Sequence, residues 1–382
     1  MPESAIPYSR QWIDDDDIEA VIRVLRSEYL TTGPAVPKFE DDLERATGAR
    51  HVVAVSSGTA ALHAAYAAVG VGPGDEVITS PLTFAATANA ALYLGARPVF
   101  VDVEADTGTI DPAAVQAAIT PRTRAVVAID FAGLPADYEA LRTIATRNGI
   151  SLIADAAHSL GATYNGSPVG GLADATILSF HPVKAITTGE GGAVVTNDDA
   201  VADFVSTFRT HGIVRSPARL RRSDGPWHHE MQTLGFNYRL TDFQAALGSS
   251  QLRKLDRFIA RRREIAAFYD RTLSQVAGIR LPGRRDGAES AWHLYVLRVD
   301  DPSRRRPFFE ALRGHGLGVQ LHYIPVYHHP FYEDLGYARG LCPRADAYSA
   351  RAISIPLYPA LTDEQVARVV EVVSLAAQEV LT

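Results

Sequence analysis

Residues 175–196 read ATILSFHPVKAITTGEGGAVVT: an apolar strand pattern, a turn that carries Lys184, and a glycine-rich bend into a second apolar run. Outward from this stretch, similar β-branched runs recur at 51–56, 75–80, 98–103, 125–129 and 151–155, so that 175–180 and 192–196 complete seven candidate strands. The earlier ones are separated by Ala-rich helical patterns such as TAALHAAYAAVG (59–70) and TFAATANAALYLG (83–95). Nearly continuous apolar strands alternating with helices predict an α/β fold with a mainly parallel sheet covered on both faces. From 242 to 272 the pattern predicts one long Arg-rich amphipathic helix. Beyond it a smaller α+β unit is expected, with strands at WHLYVLRV (292–299) and GVQLHYIPV (318–326) and a closing helix at 362–380. The expected division is a large domain over 1–250 and a small C-terminal domain over 251–382, with the N-terminal segment packing on the small one. The polar loop 214–232 is long enough to suggest a functional role.

At 382 residues, with 47% hydrophobic and 21% charged residues, the chain has the composition of a folded globular protein rather than a disordered one. A single cysteine, Cys342, excludes an internal disulfide framework and a Cys-based zinc site, and no metal is expected. Residues 1–17 end in the acidic run Asp14–Asp17 and lack the charged and apolar regions of a signal peptide. No apolar stretch reaches the ~18 residues of a membrane span. A soluble, cytoplasmic chain is expected. A net charge of −7 with mixed signs leaves no basic footprint for nucleic acid, which points to a small-molecule ligand.

Of the 37 basic residues, only Lys38, Lys184 and Lys254 are lysines. A primary amine can lose its proton, attack a carbonyl carbon and form an imine, which a guanidinium cannot. Lys38 and Lys254 lie in charged helical patterns that predict a solvated surface role. Lys184 instead follows a buried strand. In open parallel sheets ligands bind beyond the C-terminal strand ends, so the residues there form one candidate set. Ser56-Ser57-Gly58-Thr59 offers amides and hydroxyls to an anion at a helix N-terminus, and reads equally as an ordinary cap. Asp155 ends an apolar strand, where a carboxylate needs a partner such as a protonated heterocyclic nitrogen, unless it caps a helix. His158 either packs over a planar ligand or satisfies a core hydrogen bond. Phe84 opens a helix near the same edge, and core packing is its other reading. Ser179 precedes the Lys184 turn, where burial can lower an amine's pKa. The bends at 70–75 and 189–192 read as turns, not phosphate loops.

A phosphate cup, an aromatic face, a strand-end carboxylate and an imine-forming lysine, in that chain order, describe a pocket for pyridoxal 5'-phosphate (PLP). The sequence resembles the DegT/StrS-type sugar aminotransferases, fold-type I PLP enzymes, from residue 6 to the last helix. The motifs SSGTAALHAA, DAAHSLGA, SFHPVKAITTGEGGAVVTND, GFNYRLTDFQAALGSSQL and HYIPVYHHP carry that resemblance. It implies that Lys184 bonds the cofactor and serves as acid/base, that Asp155 pairs with the ring nitrogen, and that Ser57, Gly58, Thr59 and Ser179 hold the phosphate. It further implies that Phe84 stacks on the ring, that His158 lies close by, and that Asn237 reaches the site of a neighbouring subunit in a homodimer.

The family grips its sugar nucleotide with segments matching Thr31-Thr32-Gly33, the 214–232 loop with Trp227 and His228, and His322-Tyr323; Arg215, Arg219, Arg221 and Arg222 are candidates to meet a diphosphate. The resemblance implies L-glutamate as amino donor and a nucleotide-linked keto sugar as acceptor. Within the family the chain is most similar to the UDP-4-amino-4,6-dideoxy-N-acetyl-β-L-altrosamine transaminases, which aminate the C4 ketone of a UDP-linked 4-keto-6-deoxy sugar. Acceptors with a C3 ketone or a UDP-4-keto-pentose are the alternatives. Asp130 and Leu134, and Tyr327 to Pro330, depart from the usual residues and are expected on the substrate side. A sugar dehydratase of this family would carry His where Lys184 stands. A non-catalytic PLP-binding regulator would have lost part of the Asp155/Lys184 pair or gained a DNA-binding segment. An NAD enzyme would need G-x-G-x-x-G after the first strand, where this chain has SSGTAA.

Overall fold

The computed structural model describes residues 5–382; the first four residues of the N-terminal stretch read above lie outside it. Seven strands form the main sheet: β1 (His51–Val55), β2 (Glu76–Thr79), β3 (Arg97–Phe100), β4 (Thr123–Ile129), β5 (Ser151–Asp155), β6 (Ala175–Ser179) and β7 (Gly192–Thr196). Their order is β1-β7-β6-β5-β4-β2-β3, with β7 antiparallel to both its neighbours and every other pairing parallel. The C-terminal ends of six strands and the start of β7 therefore share one edge.

Nine helices precede residue 274 among the described residues: α1 (Asp15–Leu25), α2 (Ala35–Thr47), α3 (Gly58–Ala68), α4 (Ala85–Tyr93), α5 (Pro112–Ala118), α6 (Tyr138–Asn148), α7 (Asp199–Phe208), α8 (Asp242–Leu252) and α9 (Leu255–Leu273). Val53, Val77, Val127, Ile153 and Val194 on one sheet face pack against α3, α4 and α7. On the other, Ile78, Val126 and Leu152 meet α5 and α6, and Val52, Leu178 and Val195 meet α2. This two-sided cover is what strands without polar alternation require. A three-stranded sheet, Ile279–Arg280, Tyr295–Val299 and Ala352–Ile355, packs with the helices Arg305–Gly314 and Asp363–Val380 and with α9 around a separate core.

Three sequence expectations are corrected. The helix expected over 242–272 is two, α8 and α9, broken at Arg253 and Lys254. Lys254 is not a solvated surface lysine: its side chain is 10% exposed and pairs with Asp14 and with Asp17, at 2.9 Å from the latter. Asp17 is fully buried and also accepts from Gln251 Nε2 at 2.6 Å. The break turns Lys254 inward to α1. Lys38, by contrast, is exposed and bridges Asp42. The segment 318–326 is not a strand; only Gln320 pairs with the sheet, at Ser354, while Leu317 pairs with Ile6. The third small-sheet strand is Ala352–Ile355 instead.

Removing Lys254 leaves the Asp17 carboxylate buried without its cation, which costs about 3 to 5 kcal/mol when one partner of such a pair is lost. Lys254→Ala should lower the denaturant midpoint accordingly, and Asp17→Asn in the same chain should recover much of the loss. An unchanged midpoint for Lys254→Ala would contradict this account.

Candidate active site

A cavity of about 510 Å³ opens at the shared sheet edge, and Ser57, Gly58, Thr59, Phe84, Asp155, His158, Ser179, Lys184, His322 and Tyr323 all line it. One end is the start of α3. Ser57 caps that helix, its hydroxyl accepting from Ala60 N at 3.1 Å, and the first intrahelical bond is Ala61 N to Ser57 O. The amides of Gly58 and Thr59 thus precede the helical ladder and remain for an anion, at the positive end of the helix dipole. Cap and anion cup are the same turn. The turn lies against β7 so closely that a Cβ on Gly192 would come within 2.6 Å of the Ser57 carbonyl, and one on Gly58 within 3.1 Å of Ser179 Cβ.

Asp155, at the end of β5, is buried. Its Oδ2 accepts from the Thr87 hydroxyl at 2.7 Å, and Thr87 is joined to Thr83 at 2.7 Å. Its Oδ1 accepts only a long 3.3 Å bond from Ala157 N, so it caps no helix. Burial raises its pKa, opposed by the Thr87 bond and by the Lys184 amine. Lys184 stands in the turn after β6, its amide bonded to His181 O at 2.9 Å. Burial pushes its amine down to about 8, while the Asp155 charge pulls the other way. Each group thus registers the other's charge across the cavity.

The His158 ring packs against His293, centroids 4.2 Å apart and planes tilted by 31°, and its Nε2 meets the Tyr323 hydroxyl at 3.1 Å. The Nδ1 atoms of both histidines are buried with no partner. Burial drives both imidazoles well below their ordinary pKa, and His322 to about 4. All three are neutral at physiological pH. Phe84 precedes α4 with 66% of its surface exposed, so it is a cavity-wall ring and not a core residue.

Thr31, Thr32, Gly33, Trp227, His228 and Asn237 do not line this chain's cavity. Gly33 N and Ala35 N both donate to the Asp242 carboxylate at 2.9 Å, which ties the 31–35 turn to α8. Trp227 is 75% exposed on a hairpin closed by Ile213–Val214 and Glu230–Met231, and Asn237 is exposed at its base. On that hairpin Arg219 pairs with Asp203, and Arg222 lies 3.6 Å from Asp224. Asp130 and Tyr327, expected on the substrate side, are instead packed inside. Asp130 accepts from Ala136 N, Tyr138 and Ser159, and Tyr327 donates to Asp346. Leu134 is buried away from the cavity as well. Thr87, His293 and Tyr8 line the cavity without having been singled out in the sequence. Thr83 and Thr87, one helical turn apart beside Phe84, were the legible sign of the first.

The DegT/DnrJ/EryC1/StrS aminotransferase family model matches residues 11–374. The chain belongs to that family. It is 41% identical over 373 residues to the spore coat polysaccharide biosynthesis protein SpsC of Bacillus subtilis, covering 96% of each chain. It is similar to Helicobacter pylori PseC, described as an aminotransferase involved in the biosynthesis of pseudoaminic acid, with 32% identity and a TM-score of 0.92 over 98% of this chain and 100% of that one. The PLP form of the sugar aminotransferase Spr1654 of Streptococcus pneumoniae gives 31% identity and a TM-score of 0.92 over 99% and 100%. The chain is a PLP-dependent sugar aminotransferase with the fold-type I architecture. The cavity fits that cofactor: free amides stand at one end, an under-bonded buried carboxylate at the floor, and one amine beside it.

With its pKa near 8, Lys184 should be the most reactive lysine of the PLP-free protein at pH 8, ahead of exposed Lys38. Because the depressed pKa leaves the neutral form dominant above that pH, labelling by trinitrobenzenesulfonate should rise with a midpoint near 8, read by peptide mass spectrometry. Preferential labelling of Lys38 would count against the buried amine.

Proposed function

We propose that this aminotransferase moves the amino group of L-glutamate to the C4 ketone of a UDP-linked 4-keto-6-deoxy sugar, as a cytoplasmic homodimer. The observation that carries the chemistry is that Asp155 and Lys184 line one cavity with the α3 turn. The sugar part is supported by the likeness across nearly the whole chain to PseC, described as involved in pseudoaminic acid biosynthesis, and the nucleotide part by the resemblance of the sequence motifs. In this reading residues 1–250 form the cofactor-binding domain and 251–382 the small domain, with the N-terminal segment joined to the latter through Ile6 and Leu317.

Gly58 and Thr59 amides with the Ser57, Thr59 and Ser179 hydroxyls would hold the phosphate, and Asp155 would face the ring nitrogen with Thr87 fixing its rotamer. Phe84 and His158 would flank the ring. Held there, the cofactor would supply a carrier for the amino group and an electron sink for the carbon that loses its proton. Lys184 Nζ, neutral above about pH 8, takes the proton from the donor's α-carbon and returns one to the sugar carbon that gains nitrogen. His322 and Tyr323 would orient the sugar. Burial holds the Tyr323 hydroxyl protonated, so it stays a donor. Asn237 and the hairpin bearing Trp227 and His228 lie outside their own cavity, and Trp227, Met231 and Leu234 are exposed apolar residues. Both features support their serving the site of a second subunit, as would Thr31, Thr32 and Gly33 at a sugar nucleotide that extends beyond the cavity.

The purified protein should be yellow, and borohydride should fix the cofactor to Lys184. Lys184→Ala should abolish transfer with the fold intact by circular dichroism. A reduced adduct on Lys38 or Lys254 would overturn the assignment. A panel of UDP- and dTDP-linked 3-keto and 4-keto sugars with glutamate, its products resolved by NMR, should give amination at C4 of the UDP sugar; preference for a 3-keto sugar would reject the acceptor.

If the site is shared, mixing Lys184→Ala with Asn237→Ala protomers should restore part of the activity that each lacks alone. No recovery, in a preparation shown to exchange subunits, would mean each chain builds its site unaided.

A further inference from the structure

Arg262 is a buried cation where the two cores meet. It lies on α9 between Ile259, packed in the large core, and Ile265, packed in the small one, with 2% of its surface exposed. No carboxylate pairs with it among the described residues. Its Nη1 donates instead to three carbonyl oxygens, of Leu357 at 2.9 Å, Trp292 at 3.2 Å and His293 at 3.4 Å. Burial brings its pKa down to about 10, so it keeps its charge at physiological pH. A buried charge without a counter-ion is costly, and natural folds keep such departures chiefly where a site has to be held.

What Arg262 holds is the segment 291–294. Ala291 N donates to Gly133 O at 3.0 Å and Leu294 N to Ala132 O at 3.2 Å, which ties this segment to the turn after β4. The approach is close: a Cβ on Gly133 would stand 2.8 Å from His293 N and 2.9 Å from Trp292 N. Trp292 has a φ of 51°, a left-handed conformation that a bulky residue keeps only where its surroundings impose it. Arg262 imposes it from the side away from Gly133, through the carbonyls of Trp292 and His293. No hydrogen bond holds the His293 ring among the described residues, and its Nδ1 is buried without a partner. The place of that ring is therefore set by its backbone and by its packing on His158, and both imidazoles line the cavity.

Resting on the reading that His158 flanks the cofactor ring, we infer that Arg262 is a positioning residue for the transfer. Through the Trp292 and His293 carbonyls it fixes the His293 ring, and through that ring it fixes His158 beside the cofactor.

The test uses Arg262→Lys, which keeps the cation and loses the fork, and His293→Ala, which removes the ring that the fork sets. PLP is titrated by absorbance into the PLP-free wild type, both single variants and the double variant. Each single variant should bind PLP roughly three- to tenfold more weakly, a loss the size of one neutral hydrogen bond. The double variant should bind no more weakly than His293→Ala alone, because both changes act on one ring. Losses that multiply overturn the assignment, since Arg262 would then act on the fold and not through His293. A second measurement needs no cofactor. In PLP-free protein labelled with 15N-histidine, the His158 imidazole signals should move in Arg262→Lys and in His293→Ala, while those of His51 on the surface stay in place. Unmoved His158 signals in either variant overturn the assignment. Arg262→Gln, which keeps one amide donor, replaces the lysine variant if that one does not fold. PLP affinity unchanged in His158→Ala would reject the reading of His158 beside the cofactor, and the NMR signals alone would then decide the link from Arg262 to His158.

Discussion

A carboxylate buried at the end of β5, Asp155, with the Lys184 amine as the cation that acts on it, is the constraint to which the rest of the site answers. Burying a charge is costly unless it is bonded or paired, and the protein supplies Asp155 with one strong donor, Thr87, and one long one. The fold then has to place a lysine at the same sheet edge. Because β6 runs parallel to β5, the turn that follows Ser179 stands at that edge and carries Lys184. Reversing β7 lets the chain re-enter the sheet there, at Gly192 beside Ser57. The parallel strands put the amine, the carboxylate and the α3 amides at one edge, and the antiparallel strand closes the turn against the α3 start.

The cavity's charge is kept spare. His158, His293 and His322 are held neutral by burial and by the nearby Lys184 amine. A protonated imidazole stacked on a second one at 4.2 Å would repel it and compete for Asp155. With the histidines silent, Asp155 is left to answer to Lys184 and, in the proposed reading, to a ring nitrogen. The α3 end of the cavity likewise offers amides and hydroxyls, whose dipoles would attract an anion without placing a fixed cation where it would pull the carboxylate out of line.

The seven sheet strands were legible because each is buried on both faces and so reads as an apolar run, from His51–Val55 to Gly192–Thr196. Strand ends located Ser57, Asp155, Ser179 and Lys184 for the same reason, since a polar residue at the end of such a run has few other places to stand. What escaped depends on contacts distant in sequence. The break between α8 and α9 follows from Lys254 meeting Asp14 and Asp17, some 240 residues away by the sequence separation of that bond. The segment 318–326 looks like a strand because it alternates, yet its backbone is shared between Ile6 and Ser354 and its side chains His322 and Tyr323 serve the cavity. Tyr8 and His293 had no local sign at all.

Asp130 shows why the floor carboxylate is Asp155 and not its neighbour. The two end adjacent parallel strands, and Asp130 N donates to the Asp155 carbonyl at 3.1 Å. Both are buried, and sequence position alone offers either as a ligand. Asp130, however, is filled by its own chain: Ala136 N at 2.9 Å, the Tyr138 hydroxyl at 2.8 Å and the Ser159 hydroxyl. It has no cation among the described residues, and burial pushes it up to about 7 despite those bonds. Through Ser159 it holds the turn that follows Asp155 and presents His158. Asp155 has the opposite balance, with fewer donors from the protein and an amine across an open space. Of two adjacent buried acids, the one whose lone pairs the fold leaves unfilled is the one built to receive a ligand, and the filled one is there to hold it still.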